Sequence, residues 1–161
     1  GLSGADEKCQ IESMEANLSG TFKAWLSGPD ESPSQWQYAL SRSASIHITR
    51  AVPDENGIIG TEVAENWEKL LAVQSSENGL KRQINYFADG SENTSNEIVW
   101  TGTKTDGTAA ENQAYCQNAT SRQAWSSDDA FNLALIGYHQ TEGPDWTAFT
   151  TETCDLAFRF Y

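Results

Sequence analysis

Short stretches with helical or strand periodicity alternate along the whole chain, separated by clusters of Gly, Asp, Ser and Thr. Apolar residues spaced three or four apart indicate a helix, whereas alternation of apolar and polar residues is typical of a half-buried strand. Because both patterns occur and neither continues for long, the sequence predicts a loop-rich α+β domain with helices early and strands late.

Two segments have helical spacing. The first covers residues 4–18, and the second covers residues 61–71, where Val63, Trp67 and Leu70 or Leu71 share one face and Thr61 is placed to cap the helix. Residues 28–33 form a turn cluster, and residues 52–60 are expected to be a loop with a short β segment. Strands are predicted over 21–27, 43–49, 97–103, 132–140 and 154–161.

The 161 residues are enough for one domain with its own core. Hydrophobic residues make up 38% of the chain, and six of the aromatic residues are Trp, a composition typical of globular proteins. We find no repeat, low-complexity linker or internal boundary, and therefore expect a single domain over residues 1–161.

Charge narrows the choice of partners. The chain has 23 acidic and 10 basic residues, for a formal net charge of −13. Binding of nucleic acid or of a heparin-like polyanion needs clustered Lys and Arg, which are absent here. No run of 18 apolar residues occurs, so insertion into a membrane is not expected. Neutral sugars, cations and basic protein surfaces remain open as partners.

The three cysteines are Cys9, Cys116 and Cys154. An odd number in a secreted protein indicates a free thiol, an intermolecular bridge or a missing partner. No CxxC pair occurs, and the two histidines, His47 and His139, lie far from the cysteines in the sequence, which disfavours a structural zinc site.

Six blocks of the sequence carry a family resemblance. In chain order they are GLSGADEKC, GTFKAWLS, NWEKL, IVWTGT, YCQN and CDLAFRFY. They resemble the endostatin module at the end of certain vertebrate collagens, and they are similar to a family of bacterial cell-surface domains with the blocks GLxGAD, ADNWxDL and VWTGTxxDGT. The blocks cover essentially the whole chain in the same order.

This resemblance implies a C-type-lectin-like, endostatin-like fold with two helices and a twisted, mainly antiparallel sheet. Family members have two nested disulfides, and Cys116 and Cys154 match the inner pair. Cys9 matches the first member of the outer pair, whose partner would follow Tyr161 directly, and family members usually have a strand before GLSGAD. The resemblance therefore implies that the chain is trimmed at both ends and is part of a longer surface protein. The alternative is that Cys9 is an ordinary buried free thiol.

Two properties of endostatin are not carried over. Its heparin-binding arginines are matched only by Arg42 and Arg50, and its N-terminal histidine-rich zinc site has no counterpart here.

An enzymatic function is disfavoured because the chain lacks a GxSxG motif and both histidines lie in strand-like segments. Calcium-dependent sugar binding is a second hypothesis, because lectin-fold loops coordinate calcium through carboxylates and amides. Neither candidate loop reproduces the EPN and WND signatures of sugar-binding members, and the acidic residues are more typical of solvated turns. The candidates are Asp106, Glu111 and Asn112 in one loop and Glu142 and Asp145 in another.

Aromatic residues provide a third hypothesis. Trp25, Trp67 and Trp100 match core positions of the family blocks. Trp36, Trp125 and Trp146 instead lie among Ser, Gln, Thr and Asp, a setting typical of an indole that stacks on a sugar or anchors a protein, although Trp146 has a structural alternative. The preferred site is the segment between Cys116 and Cys154, with Trp125, Tyr138, His139, Asp145 and Trp146.

Together these observations predict a non-enzymatic recognition or adhesion module located outside the cell or on its surface. Its expected partner is a glycan or a protein on another surface, and no cofactor is expected unless calcium binds. One alternative is a structural cap or an oligomerisation domain of a surface fibre, with a homo-oligomer formed through the parent protein. The other is a calcium-dependent lectin.

Overall fold

The structure, a computed structural model, describes residues 1–36, 46–48, 61–71, 80–95, 98–118, 120 and 122–161. Within these residues the chain forms three α-helices, α1 (Leu2–Glu15), α2 (Pro33–Trp36) and α3 (Trp67–Leu71). The strands are β1 (Ile46–Ile48), β2 (Thr61–Ala64), β3 (Ile98–Trp100), β4 (Leu133–Tyr138), β5 (Thr150–Thr153) and β6 (Arg159–Phe160), and short 3₁₀ turns cover Glu111–Gln113 and Pro144–Trp146. The predicted α+β class is confirmed, although the described residues contain three helices where two were implied, because the four-residue α2 was not predicted.

Helix α1 confirms the first predicted helix, although it begins two residues earlier and ends at Glu15. Its end is set by Asn17, whose φ of +57° places it in the left-handed region. The amide of Asn17 donates to Met14 O and that of Leu18 donates to Ser13 O, the hydrogen-bond pattern of a Schellman cap. No helix among the described residues is long and apolar enough to cross a membrane.

The strand predicted over residues 21–27 is wrong, because this segment forms no ladder. Its alternation has a different cause. Ala24 and Leu26 pack in one hydrophobic cluster and Trp25 packs in another, so both faces of the segment are buried. Single hydrogen bonds from Trp25 N to Tyr161 O and from Ser27 N to Thr101 O hold it in place.

The second predicted helix is wrong in its first half. Residues Thr61–Ala64 form β2, which pairs antiparallel with β1, and helix α3 begins only at Trp67. Asn66, rather than Thr61, caps α3 through its Oδ1, which accepts a hydrogen bond from Lys69 N at 2.8 Å. Val63, Trp67 and Leu70 still pack in one hydrophobic cluster. Their helix-like spacing in the sequence arises because strand β2 and helix α3 each bury side chains in that cluster.

Strands β3 to β6 form a mixed sheet in the order β5–β4–β3–β6. Strand β4 pairs antiparallel with both β5 and β3, whereas β6 pairs parallel with β3. The predicted strands over 97–103 and 132–140 are confirmed as the shorter β3 and β4. That over 154–161 is confined to β6, because Cys154 and Asp155 lie in a turn, and β5 was not predicted.

Two hydrophobic clusters fill the interior. The first lies between α1 and the four-stranded sheet and includes Ala5, Leu26, Trp100, Ala134 and Ile136. The second contains Trp25, Val63, Trp67, Leu70 and Trp146. The Cys116–Cys154 disulfide, which the family resemblance implied, is present with a Cα–Cα distance of 5.6 Å and belongs to the first cluster.

Several sequence predictions lie outside the described residues. These are the loop over 52–60, most of the strand predicted over 43–49, and Arg42 and Arg50.

Candidate functional site

The carboxylate of Asp106 shapes a tight turn. Its Oδ1 accepts hydrogen bonds from the amide and the hydroxyl of Thr108, the first at 2.9 Å, around Gly107 with a φ of +77°. Partial burial acts to raise the pKa of Asp106, but the hydrogen bonds from Thr108 and the charge of Lys104 bring it below its usual value. This carboxylate therefore has a structural role in the turn.

The other calcium candidates are dispersed. Glu111 lies 3.6 Å from the ammonium of Lys104, with its side chain 79% exposed. Asn112, Glu142 and Asp145 are exposed. Among the residues that the structure describes, no three His, Cys, Asp or Glu side chains form a group that could hold a metal ion. Calcium binding stays a prediction.

Trp146 and His139 are buried. Trp146 is 1% exposed and packs 4.8 Å from Trp25, between ring centroids, in the second cluster. His139 is 2% exposed, and its Nε2 lies 2.9 Å from Ser95 O. Neither side chain is on the outer surface of the segment between the disulfide cysteines, where a large ligand would bind.

Trp125 is half-buried and held from two sides. Its Nε1 donates to Ser27 O at 2.8 Å, and its ring lies 6.0 Å from that of Trp100. An added Cβ at Gly102 would lie 2.7 Å from the Trp125 ring, so the indole fills a space that only glycine leaves open. These contacts give Trp125 a packing role.

Trp36 and Tyr138 are also half-buried, in different places. Trp36 lies 6.0 Å from Trp25, and the Nζ of Lys23 lies 5.5 Å from its ring centroid. Tyr138 donates to Gln140 Oε1 at 3.2 Å and lies near Phe149. The six predicted binding residues thus do not converge on one surface, and their role in ligand binding stays a prediction.

A different surface, formed by residues just before Cys116 and by part of the segment between Cys116 and Cys154, combines an exposed aromatic ring with amide side chains. We call it the Phe131 surface and define it by Asn112, Gln113, Gln117, Phe131, Asn132 and Leu133, which line a shallow depression of about 180 Å³. Phe131 is 94% exposed and Leu133 is 45% exposed. The side-chain amides of Asn112 and Gln113 are exposed.

The turn that carries Phe131 is hydrogen-bonded on both sides of the ring. Asp129 Oδ1 accepts from Phe131 N at 2.9 Å, and Asn132 Nδ2 donates to Ser127 Oγ at 2.7 Å. Behind it, Cys116 N donates to Leu133 O and Cys154 N donates to Asn132 O. The turn is thereby tied directly to both halves of the disulfide, so Phe131 is presented from a fixed backbone.

Left-handed backbone is concentrated next to this turn. Of the six non-glycine residues with positive φ in the described chain, five lie between positions 112 and 125. Asn112, Gln113 and Cys116 have φ values of 54°, 60° and 49°. Such conformations are unfavourable for most side chains and persist where the surrounding structure imposes them, often at binding sites.

Sequence reasoning missed Phe131. The residues before it, Asp128 and Asp129, are typical of a solvated acidic surface, and nothing in the periodicity separates an exposed phenylalanine from a core one. The available signal was the spacing of Asp129 and Phe131. An Asp side chain that accepts a hydrogen bond from the backbone amide two residues later forms a local turn. Side chains in such a turn, here that of Phe131, are often exposed to solvent.

A larger groove lies beside α1. We call it the α1 groove; α1, the segment over 84–93 and the C-terminal residues 158–161 bound its volume of about 680 Å³. Cys9 lines it, and burial, with lesser contributions from Glu12 and Asp6, raises the pKa of its thiol to about 11. Burial likewise raises the pKa of the Tyr161 phenol, whose hydroxyl donates to Trp146 O at 2.8 Å.

Comparison of the chain with models of known protein families and with curated proteins gives no match.

Proposed function

We propose that this chain is a non-enzymatic recognition module with a C-type-lectin-like, endostatin-like fold, displayed outside the cell, that binds a neutral glycan through the Phe131 surface. The fold assignment rests on the family blocks, and the α+β mixed sheet and the disulfide are compatible with it. A disulfide is typical of oxidising, extracellular environments, which supports the proposed location.

The observation that carries the proposal is Phe131, a nearly fully exposed ring beside the exposed side-chain amides of Asn112 and Gln113 on a backbone tied to a disulfide. Sugar rings bind proteins by stacking an apolar face on an aromatic side chain while their hydroxyls bond to polar groups. The lining contains aromatic, aliphatic and amide side chains without a charge, and the formal net charge of −13 disfavours an anionic glycan.

A non-enzymatic role is supported by the position of His139. Its Nε2 is occupied by a backbone carbonyl and its ring is buried, so it is not placed to act as a general base on a ligand at the Phe131 surface.

The test is a glycan array followed by titration calorimetry with the best neutral ligand. We expect Phe131→Ala to weaken binding about 5-fold to 150-fold, because loss of an exposed aromatic contact costs binding about 1 to 3 kcal/mol. Thermal unfolding should not change, since the ring makes little contact with the core. Phe149→Ala, which removes another ring that is 51% exposed, is the matched control and should bind normally.

The proposal is overturned if the wild-type chain binds no neutral glycan or if Phe131→Ala binds as the wild type does. Sedimentation should be measured on the same samples: if Phe131→Ala changes only the oligomeric state, the ring belongs to a self-association surface, as expected for a structural cap. Repeating the array with calcium and with a chelator tests the calcium-dependent alternative.

A further inference from the structure

The α1 groove has the size and lining of a small-molecule site, and the proposed function does not use it. Its volume of about 680 Å³ lies in the range of about 300 to 1,000 Å³ that is typical of small-ligand pockets. Several aromatic rings line it, including Phe22, Tyr86, Phe87, Phe158 and Phe160, together with the aliphatic side chains of Leu18, Ile84 and Val99. A ligand with a flat apolar body fits such a lining.

His139 adds a specific polar requirement. It lines the groove and is 2% exposed, with its Nε2 at 2.9 Å from Ser95 O. A carbonyl oxygen only accepts hydrogen bonds, so Nε2 carries the proton of this bond, and in the neutral imidazole Nδ1 then has a lone pair and no hydrogen. Nδ1 is buried and has no hydrogen-bond partner within the described residues.

A buried hydrogen-bond acceptor without a partner carries a desolvation free energy that no hydrogen bond offsets. A ligand that donates a hydrogen bond to Nδ1 would offset it. Of the two ring nitrogens, only Nδ1 is available for this purpose, because Nε2 is already bonded. The groove therefore favours a ligand with one hydrogen-bond donor attached to its apolar body.

The charged groups around the groove do not favour an ionic ligand. The ammonium of Lys23 already binds Asp6 and Glu31. The guanidinium of Arg159 stacks over Phe87 at 4.6 Å from the ring centroid. Lys8 and Glu12 contribute one charge of each sign from α1.

From these observations we infer that the α1 groove binds a small, neutral, hydroxylated aromatic molecule. Its ring packs against the aromatic lining and its hydroxyl donates a hydrogen bond to Nδ1 of His139. Binding is reversible and involves no covalent step.

The test compares two probes that differ only in the donor, 4-ethylphenol and 4-ethylanisole, whose methyl ether lacks the hydroxyl hydrogen. Titration of the wild-type chain by NMR should give shifts at the amides of Tyr86 and Phe160 and at the Nδ1 resonance of His139. We expect 4-ethylphenol to bind at least about 10-fold more tightly than 4-ethylanisole, because a site built to pair a polar group discriminates against a ligand that lacks the partner.

Two variants separate the contribution of the His139 acceptor from that of the space in the groove. His139→Phe removes the acceptor and should abolish the preference for the phenol. Because His139 is buried, Ala88→Trp serves as a second variant that leaves it unchanged: Ala88 lines the groove and is partly exposed, so the indole should obstruct binding of both probes. Phe131→Ala should bind both probes normally, which keeps this test independent of the proposed glycan site.

The inference is overturned if neither probe binds the wild-type chain up to its solubility limit, if the shifts map outside the groove, or if the two probes bind equally. Normal binding of both probes to Ala88→Trp would also contradict it.

Discussion

Thr147 joins three segments of the chain through buried hydrogen bonds. Its Oγ1 accepts from Trp25 Nε1 at 2.8 Å and donates to Thr103 O at 3.1 Å, while Thr101 Oγ1 donates to its carbonyl at 2.6 Å. We expect Thr147→Val, which keeps the shape, to lower the free energy of unfolding by about 2 kcal/mol, because the indole N–H and the Thr103 carbonyl lose their partner. Urea unfolding measures this loss. The exposed Thr150→Val is the control, expected within about 0.5 kcal/mol of the wild type, and equal midpoints for both variants would contradict the role of Thr147.

At the scale of the elements, strand β4 depends on a glycine where the turn before β5 crosses it. A Cβ at Gly137 would overlap the carbonyl oxygen of Trp146, and backbone cannot move aside as a flexible side chain does. We expect Gly137→Ala to destabilise the fold by about 3 kcal/mol. Gly4→Ala is the matched control, since Gly4 lies in α1 with nothing within 4 Å of its added Cβ, and should stabilise by about 0.5 to 1 kcal/mol. Thermal unfolding of both variants distinguishes them, and a neutral Gly137→Ala would show that this crossing is looser than described.

On the scale of the whole molecule, the Cys116–Cys154 disulfide links residues 38 positions apart and closes the segment that carries Phe131. In the chain-entropy model a loop of this length contributes about 4 kcal/mol to stability. We expect that loss in the double variant Cys116→Ala/Cys154→Ala, measured by urea unfolding under non-reducing conditions. Cys9→Ala, which removes only the free thiol, is the control. Glycan binding should weaken in the double variant even where it remains folded, because the turn of Phe131 is bonded to both cysteines; unchanged binding would show that the turn is held without the bridge.

Local sequence patterns were sufficient to predict many of the helices and strands. Residues 4–18 contain good helix formers and, near their end, an Asn at position 17 suited to the left-handed cap, so α1 was predictable from composition and spacing alone. The apolar runs of β3 and β4 predicted strands for a similar reason, because β-branched and aromatic residues favour a half-buried sheet. The Cys116–Cys154 pairing came from the family blocks and is present in the structure.

Tertiary structure decided the features that depend on where a residue's neighbours lie. Alternation over residues 21–27 indicated burial but could not show that both faces are covered by separate cores, which leaves no strand beside the segment. The spacing of Val63 and Trp67 fitted a helix, yet pairing of Thr61–Ala64 with β1 made the first half a strand. Trp146 and Phe131 illustrate the same limit at the site: burial is a property of the whole packing, so one became core and the other became surface although both have polar neighbours in the sequence. The sequence by itself determined which residues are able to form a core, a bridge or an aromatic contact, whereas the assembled fold determined which of them remain accessible to a ligand.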